Sequence, residues 1–197
     1  MQRRQALRKT VLAAGSVALA PALMNTLASC QQQDRLSWQP VFLSESHAQL
    51  LASMIDAILP RTETPGGIDL KVDIFIDSVF GNLYTSDAQD YLVSEMDNIQ
   101  SICQEKFNRS FSQLDSDQRT EVLSQLESSS GKFNGKVWGT AVGTQEPVGF
   151  YRNLKSMILW GYFTTEKVGE EILSYDPIPG EFKGCIPLSE VGNAWSL

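Results

Sequence analysis

The sequence predicts an all-α fold: one compact domain of five to six helices with an irregular, extended C-terminal tail, preceded by a signal peptide. Three observations lead there. Apolar residues recur at helical spacing through most of the chain, and no run alternates clearly as a strand would. Capping residues and prolines punctuate those periodic runs. The first 29 residues have the make-up of a leader, and the 168 that follow suit a single domain able to bury most of its apolar surface.

The leader opens with four basic residues and no acidic one, then runs uncharged from Thr10 to Gln33. A basic start, a short apolar middle and a small-residue exit are the parts of a secretory signal. Arg3-Arg4, followed by Leu7 and Arg8, resembles the twin-arginine export motif, with Ala6 where an aromatic residue is usual. The exit, Leu27-Ala28-Ser29-Cys30, resembles a lipobox, in which the cysteine thiol takes the lipid and becomes the new N-terminus. The alternative is an uncleaved membrane anchor, but the stretch is alanine-rich, interrupted by Gly15, Ser16, Pro21, Asn25 and Thr26, and weakly apolar for a span of about 20 residues. Either way the expected location is the bacterial cell envelope: a membrane-attached lipoprotein on the periplasmic side. The expected divisions are signal 1–29, polar tether 30–41 and helical domain 42–197.

Within the domain, Ser44 caps a first helix carrying Leu50, Leu51, Met54, Ile55, Ile58 and Leu59, which ends at Pro60. Arg61 to Gly67 is a loop by its turn residues. A second helix spans about Lys71 to Asn82 with Val72, Phe75, Ile76, Val79 and Phe80 on one side. A third runs from about Ser86 to Phe107 with Leu92, Met96, Ile99, Cys103 and Phe107 as its stripe. Asp115 with Gln118 forms a capping box for a fourth helix bearing Val122, Leu123 and Leu126. Residues 128–145 read as a long glycine-rich loop. A fifth helix starts near Glu146-Pro147, with Phe150, Tyr151, Leu154, Met157 and Ile158 facing the core. A short sixth follows Thr164 or Thr165, and the tail begins at Tyr175.

Charge narrows the partners. Beyond residue 29 lie 12 basic and 23 acidic residues, a net charge of −11. Such a body is a poor match for nucleic acid, whose affinity comes largely from Lys and Arg on phosphates, or for anionic lipid heads, so membrane attachment falls to the acyl chains. With Cys30 lipidated, Cys103 and Cys185 are left: an oxidising compartment lets them form one disulfide, and two free thiols are the alternative.

Candidate chemistry is sparse. His47 is the sole histidine and is expected to face solvent early in the first helix, so sites that need histidine must use this residue. There is no CxxC and no GxGxxG. Gly131 to Val137 falls one residue short of a phosphate loop and puts Val137 where magnesium needs a hydroxyl. Asp115 and Asp117 lack the glycine and glutamate of a calcium loop. Glu170 and Glu171 are adjacent, so on a helix they do not face each other. Trp138, Trp160 and Trp195 read as core or interface ahead of a sugar platform. No catalytic, cofactor or metal residue is assigned to this chain.

Two stretches carry a resemblance. Trp160-Gly161-Tyr162-Phe163-Thr164-Thr165-Glu166, running on through Tyr175-Asp176-Pro177-Ile178-Pro179-Gly180 to Gly184-Cys185-Ile186-Pro187-Leu188, is one. Phe107 to Asp115 is the other, and Leu59-Pro60 with Thr64-Pro65-Gly66-Gly67 agrees. They resemble the gluconate 2-dehydrogenase subunit 3 family, the small subunits of membrane-bound, FAD-dependent sugar and polyol dehydrogenases. The resemblance implies a non-catalytic subunit. Its partner is a large GMC-type dehydrogenase subunit that holds FAD, with haem c in a third, cytochrome subunit in some complexes. It also implies escort of the folded flavoprotein through the twin-arginine translocon. The partner-binding residues it points to are Trp160, Tyr162, Phe163, Tyr175, Pro177 and Pro179, and the tail from Tyr175 to Leu188 is expected to wrap the large subunit. The competing readings are a stand-alone envelope lipoprotein binding sugar or another protein, and an enzyme with a site near the 128–145 loop.

Overall fold

The computed structural model describes residues 38–131, 148–178, 180–181 and 184–196. The chain divides into two units at Gln39/Pro40, and the second, Pro40–Leu197, holds every element described. Arg3, Arg4, Leu7, Cys30, Trp138 and Pro179 lie outside the described residues. Among the described residues the regular structure is helical, with a single isolated β-bridge, and no helix is long and apolar enough to cross a membrane.

Helix α1, Glu45–Ile58, starts where Ser44 accepts the His47 N–H, the expected N-cap. It is the centre of the unit, packing against α2 (Val72–Leu83), α3 (Ser86–Phe107), a 3-10 turn (Phe111–Gln113) and α4 (Ser116–Ser129). Leu50, Leu51, Met54 and Ile55 are completely enclosed, and Ala48, Ala52 and Ser53 are buried with them. Each large side chain so enclosed contributes about 1.5–3 kcal/mol of transfer free energy.

Helix α3 buries Leu92, Met96, Ile99 and Cys103 as its spacing predicts, and Asn108 closes it in the left-handed conformation that Asn tolerates. The link to α4 is anchored by Phe111 and Leu114, both buried. Asp115 and Gln118 make the expected reciprocal cap of α4. Helix α5, Phe150–Phe163, begins a few residues later than Glu146-Pro147, with Gly149 as its N-cap. It buries Tyr151, Leu154, Ile158, Gly161 and Tyr162, and packs against α2 and α4.

The helix expected after Thr165 is a π-turn, Val168–Ile172, in which the Leu173 N–H reaches back five residues to the Val168 carbonyl. The tail is not simply extended. A one-turn helix, α6 (Leu188–Val191), interrupts it, and its end returns to its start. Ser174 and Trp195 form a parallel bridge, and the Ser196 hydroxyl donates to the Gly169 carbonyl at 2.7 Å. Ser174 and Ser196 pair their backbone groups within the chain, and the described residues between Tyr175 and Pro187 remain irregular as expected.

Where α4 meets α5, Arg152 and Lys155 both contact the Glu127 carboxylate. Tyr151, beside them, is buried, and desolvation with the negative charge of Glu127 pushes its phenol up from 10.0 to about 12. The folded state therefore holds this proton more tightly than the unfolded chain. The stability it provides is complete below pH 10 and is lost as pH rises toward 12. Wild type should lose about 2–3 kcal/mol more than Tyr151→Phe between those limits. Urea titrations at stepped pH measure this; parallel curves for the two proteins would refute it.

Candidate partner-docking site

Helices α2 and α5 meet at Gly161, where an added Cβ would lie 3.0 Å from the Phe75 ring. The glycine lets that ring lie against α5. Phe75 was expected in the core but is exposed, its ring 5.5 Å from that of Trp160. Trp160 is 59% exposed, and Phe163, three residues on and therefore beside it on the helix, is 50% exposed. Tyr162 departs from the expected partner-binding set. It is only 7% exposed, and its hydroxyl donates to the Pro65 carbonyl at 2.9 Å, so it ties α5 to the 60–67 loop. Helical geometry separates the two roles: residues adjacent in sequence point about 100° apart.

Tyr175 and Pro177 are exposed on the tail. Ile178 and Leu188 are exposed there too, more fully than any aromatic residue described. The structure thus brings Trp160 and Phe163 together with Phe75, and sets Tyr175 and Pro177 on a separate segment.

Cys103 and Cys185 do not form the disulfide; both thiols are free. Cys103 is enclosed within α3 and burial pushes its thiol up, whereas Cys185 lies exposed on the tail. With Cys30 replaced by serine, a maleimide should label one thiol in the native chain and two in denaturant. Two labelled thiols before unfolding would contradict the enclosure of Cys103.

His47 does not face solvent as expected. Its ring is mostly covered, and Nε2 lies 2.9 Å from Asp97 Oδ1, joining α1 to α3. A shallow cavity of about 370 Å³ lies between the end of α1 and the start of α4, lined by Asp56, Pro60, Leu114, Ser116 and Arg119 among others. Arg119 donates to the Ser112 carbonyl, lies 3.7 Å from the Asp56 carboxylate, and keeps its Nε buried with no acceptor. These groups bind the two helices together; they do not pair a nucleophile with a base. Among the described residues no three His, Cys, Asp or Glu side chains are grouped to hold a metal ion.

The gluconate 2-dehydrogenase subunit 3 family model matches residues 45–180, more than half of the chain. The chain belongs to the gluconate 2-dehydrogenase subunit 3 family. No curated protein and no solved structure gives a match. The matched span of this subunit 3 protein runs from the start of α1 into the tail. It therefore includes the Phe75, Trp160 and Phe163 surface and the Pro65–Tyr162 tie. A subunit of a dehydrogenase complex needs a face for its partner, and large exposed aromatics are the residue type that interfaces favour.

Two residues escaped the sequence reading. Phe75 falls within the apolar stripe of α2, and the position of α5 covers it only in part. Asp77 has no role in the sequence reading, yet it is completely buried. The one available signal was its place between Ile76 and Phe80 inside the apolar arc of α2.

Proposed function

We propose that this chain is the non-catalytic small subunit of an envelope, FAD-dependent sugar or polyol dehydrogenase of the GMC type. It escorts the folded flavoprotein subunit through the twin-arginine pathway and then holds it at the membrane through a lipid on Cys30. The observation that carries the reading is the subunit 3 family match across α1 to the tail. Arg3-Arg4 with Leu7, and the Leu27-Ala28-Ser29-Cys30 exit, support the export and anchoring parts. A protein that must arrive folded and cofactor-loaded cannot be threaded through a pore as an unfolded chain, which is a physical reason for a folded-cargo route. A cytochrome subunit carrying haem c is the expected third member where electrons pass on into the membrane.

The test is affinity capture of the chain from membranes of its own host. A yellow, FAD-containing subunit should come with it. Changing Arg3 and Arg4 together to lysine should leave both subunits in the cytoplasm, and Cys30→Ser should release the pair from the membrane fraction. Recovery of the lipoprotein alone, or export of the flavoprotein undiminished by the double lysine change, would count against the proposal. Recovery alone would favour a stand-alone lipoprotein that binds sugar or another protein.

A further inference from the structure

We infer that the Phe75–Trp160 pair, extended by Phe163, is the seat of the catalytic subunit, which meets it with an apolar pocket bordered by basic side chains. This rests on the small-subunit reading above and names the surface and the chemistry of its counterpart.

The pair is built to be rigid. Phe75 and Trp160 project from different helices that pack closely at Gly161. Tyr162, buried and lying between Trp160 and Phe163 in sequence, locks α5 to the Pro65 carbonyl. Aromatic rings held this way lose little rotamer freedom on association, and tryptophan is the side chain most enriched at energetic centres of interfaces. Left in water, three large rings forgo the burial that their size would yield.

Charge selects the occupant. Immediately beyond Phe163, Glu166 and Glu170 are exposed, and no ion pair to either is formed among the described residues. The one lysine there, Lys167, is engaged by Glu171. The Phe163 side of the aromatic patch is therefore acidic, with exposed Lys71 one turn before Phe75 at the other side, on a body with a net charge of −11 after residue 29. A second copy of this chain on a two-fold axis would set acid against acid. An anionic lipid surface would be repelled in the same way. A different folded protein with arginine or lysine around an apolar pocket is the complementary surface, and the family, a subunit of a dehydrogenase complex, makes another subunit of that complex the candidate.

The experiment uses the flavin-containing subunit captured by the wild-type chain, separated from it and returned to purified variants. Phe75→Ser with Trp160→Ser should weaken binding at least about thirtyfold while leaving the melting temperature near that of wild type. Tyr91→Ser, an exposed aromatic change on α3, should leave binding unchanged. Glu166→Lys with Glu170→Lys should weaken binding several-fold at low salt and flatten its salt dependence. Wild-type affinity in a folded Phe75/Trp160 double variant, or an equal loss from Tyr91→Ser, would overturn the assignment of this face while leaving the functional reading intact. A wild-type dimer that the double variant dissolves, or vesicle binding that it abolishes, would overturn it in favour of a second copy or a membrane. A wild-type chain that captures no flavoprotein would overturn the functional reading itself, and this face with it.

Discussion

Asp77→Ala is expected to remove about 3–4 kcal/mol of stability, a large part of the roughly 5–15 kcal/mol available to a domain. The Asp77 carboxylate is completely buried in α2 and accepts the backbone N–H groups of Val41, Phe42 and Leu43 at 2.6, 3.2 and 2.8 Å. These donors precede the N-cap of α1, so one side chain fixes the chain's entry into the domain. Truncation leaves a buried, uncompensated donor at Leu43 and weakens two more, and hydrogen bonds to a charged group are about twice as strong as neutral ones. Asp77→Asn keeps one acceptor but turns an amide N–H toward donors, and should cost about half as much. Urea unfolding monitored by helical circular dichroism measures both. A change below 1 kcal/mol for alanine would show that these hydrogen bonds are not what holds the entry segment. The same variants bear on function, because the entry segment joins the domain to the tether and its proposed lipid.

The second large effect is expected at Gly66. An added Cβ would lie 2.8 Å from the Arg61 backbone nitrogen and 2.9 Å from the Leu59 carbonyl oxygen. Neither atom can swing away, so the turn itself must open. Gly66→Ala should cost about 2–3 kcal/mol, which for a domain of this size lowers the melting temperature by about 5–10 °C. Gly67→Ala meets the Ile55 side chain at 2.5 Å and should also destabilise, because Ile55 is enclosed and has no room to yield. The turn has a second task. Pro65 receives the Tyr162 hydroxyl, so an opened turn also frees the end of α5 that carries Trp160 and Phe163. Gly66→Ala is therefore expected to weaken capture of the flavoprotein as well as stability, whereas Asp77→Ala acts on the Val41–Leu43 entry segment. Calorimetry beside the capture assay separates the two effects; an unchanged melting temperature for Gly66→Ala would refute the close approach.

Much of the helical frame was legible because its determinants are local. Ser44, and Asp115 with Gln118, cap helices through groups three residues away, and the stripe from Leu92 to Cys103 expresses a period that any helix must have. The end of α5 was harder. Trp160, Tyr162 and Phe163 are alike in hydropathy and close in sequence, and only the placement of α2 and the 60–67 loop decides that Tyr162 turns in and the other two remain in water. His47 and Phe75 depart from their expected environments for the same reason: Asp97 on α3 meets the first, and α5 covers only part of the second. The return of Ser196 to Gly169 spans 27 residues and leaves no local trace in composition.

By itself the sequence determined the helical class, the caps and core stripes, and the acidic balance of charge. Each of these depends on residue type and short-range spacing alone. Only the tertiary structure decided that Asp77 is a buried anchor, that Cys103 and Cys185 stay apart, and that Phe75 joins Trp160 on an open face. Those outcomes depend on which distant groups arrive beside a residue, and a side chain's burial and hydrogen bonds belong to that meeting of elements more than to the residue's own character.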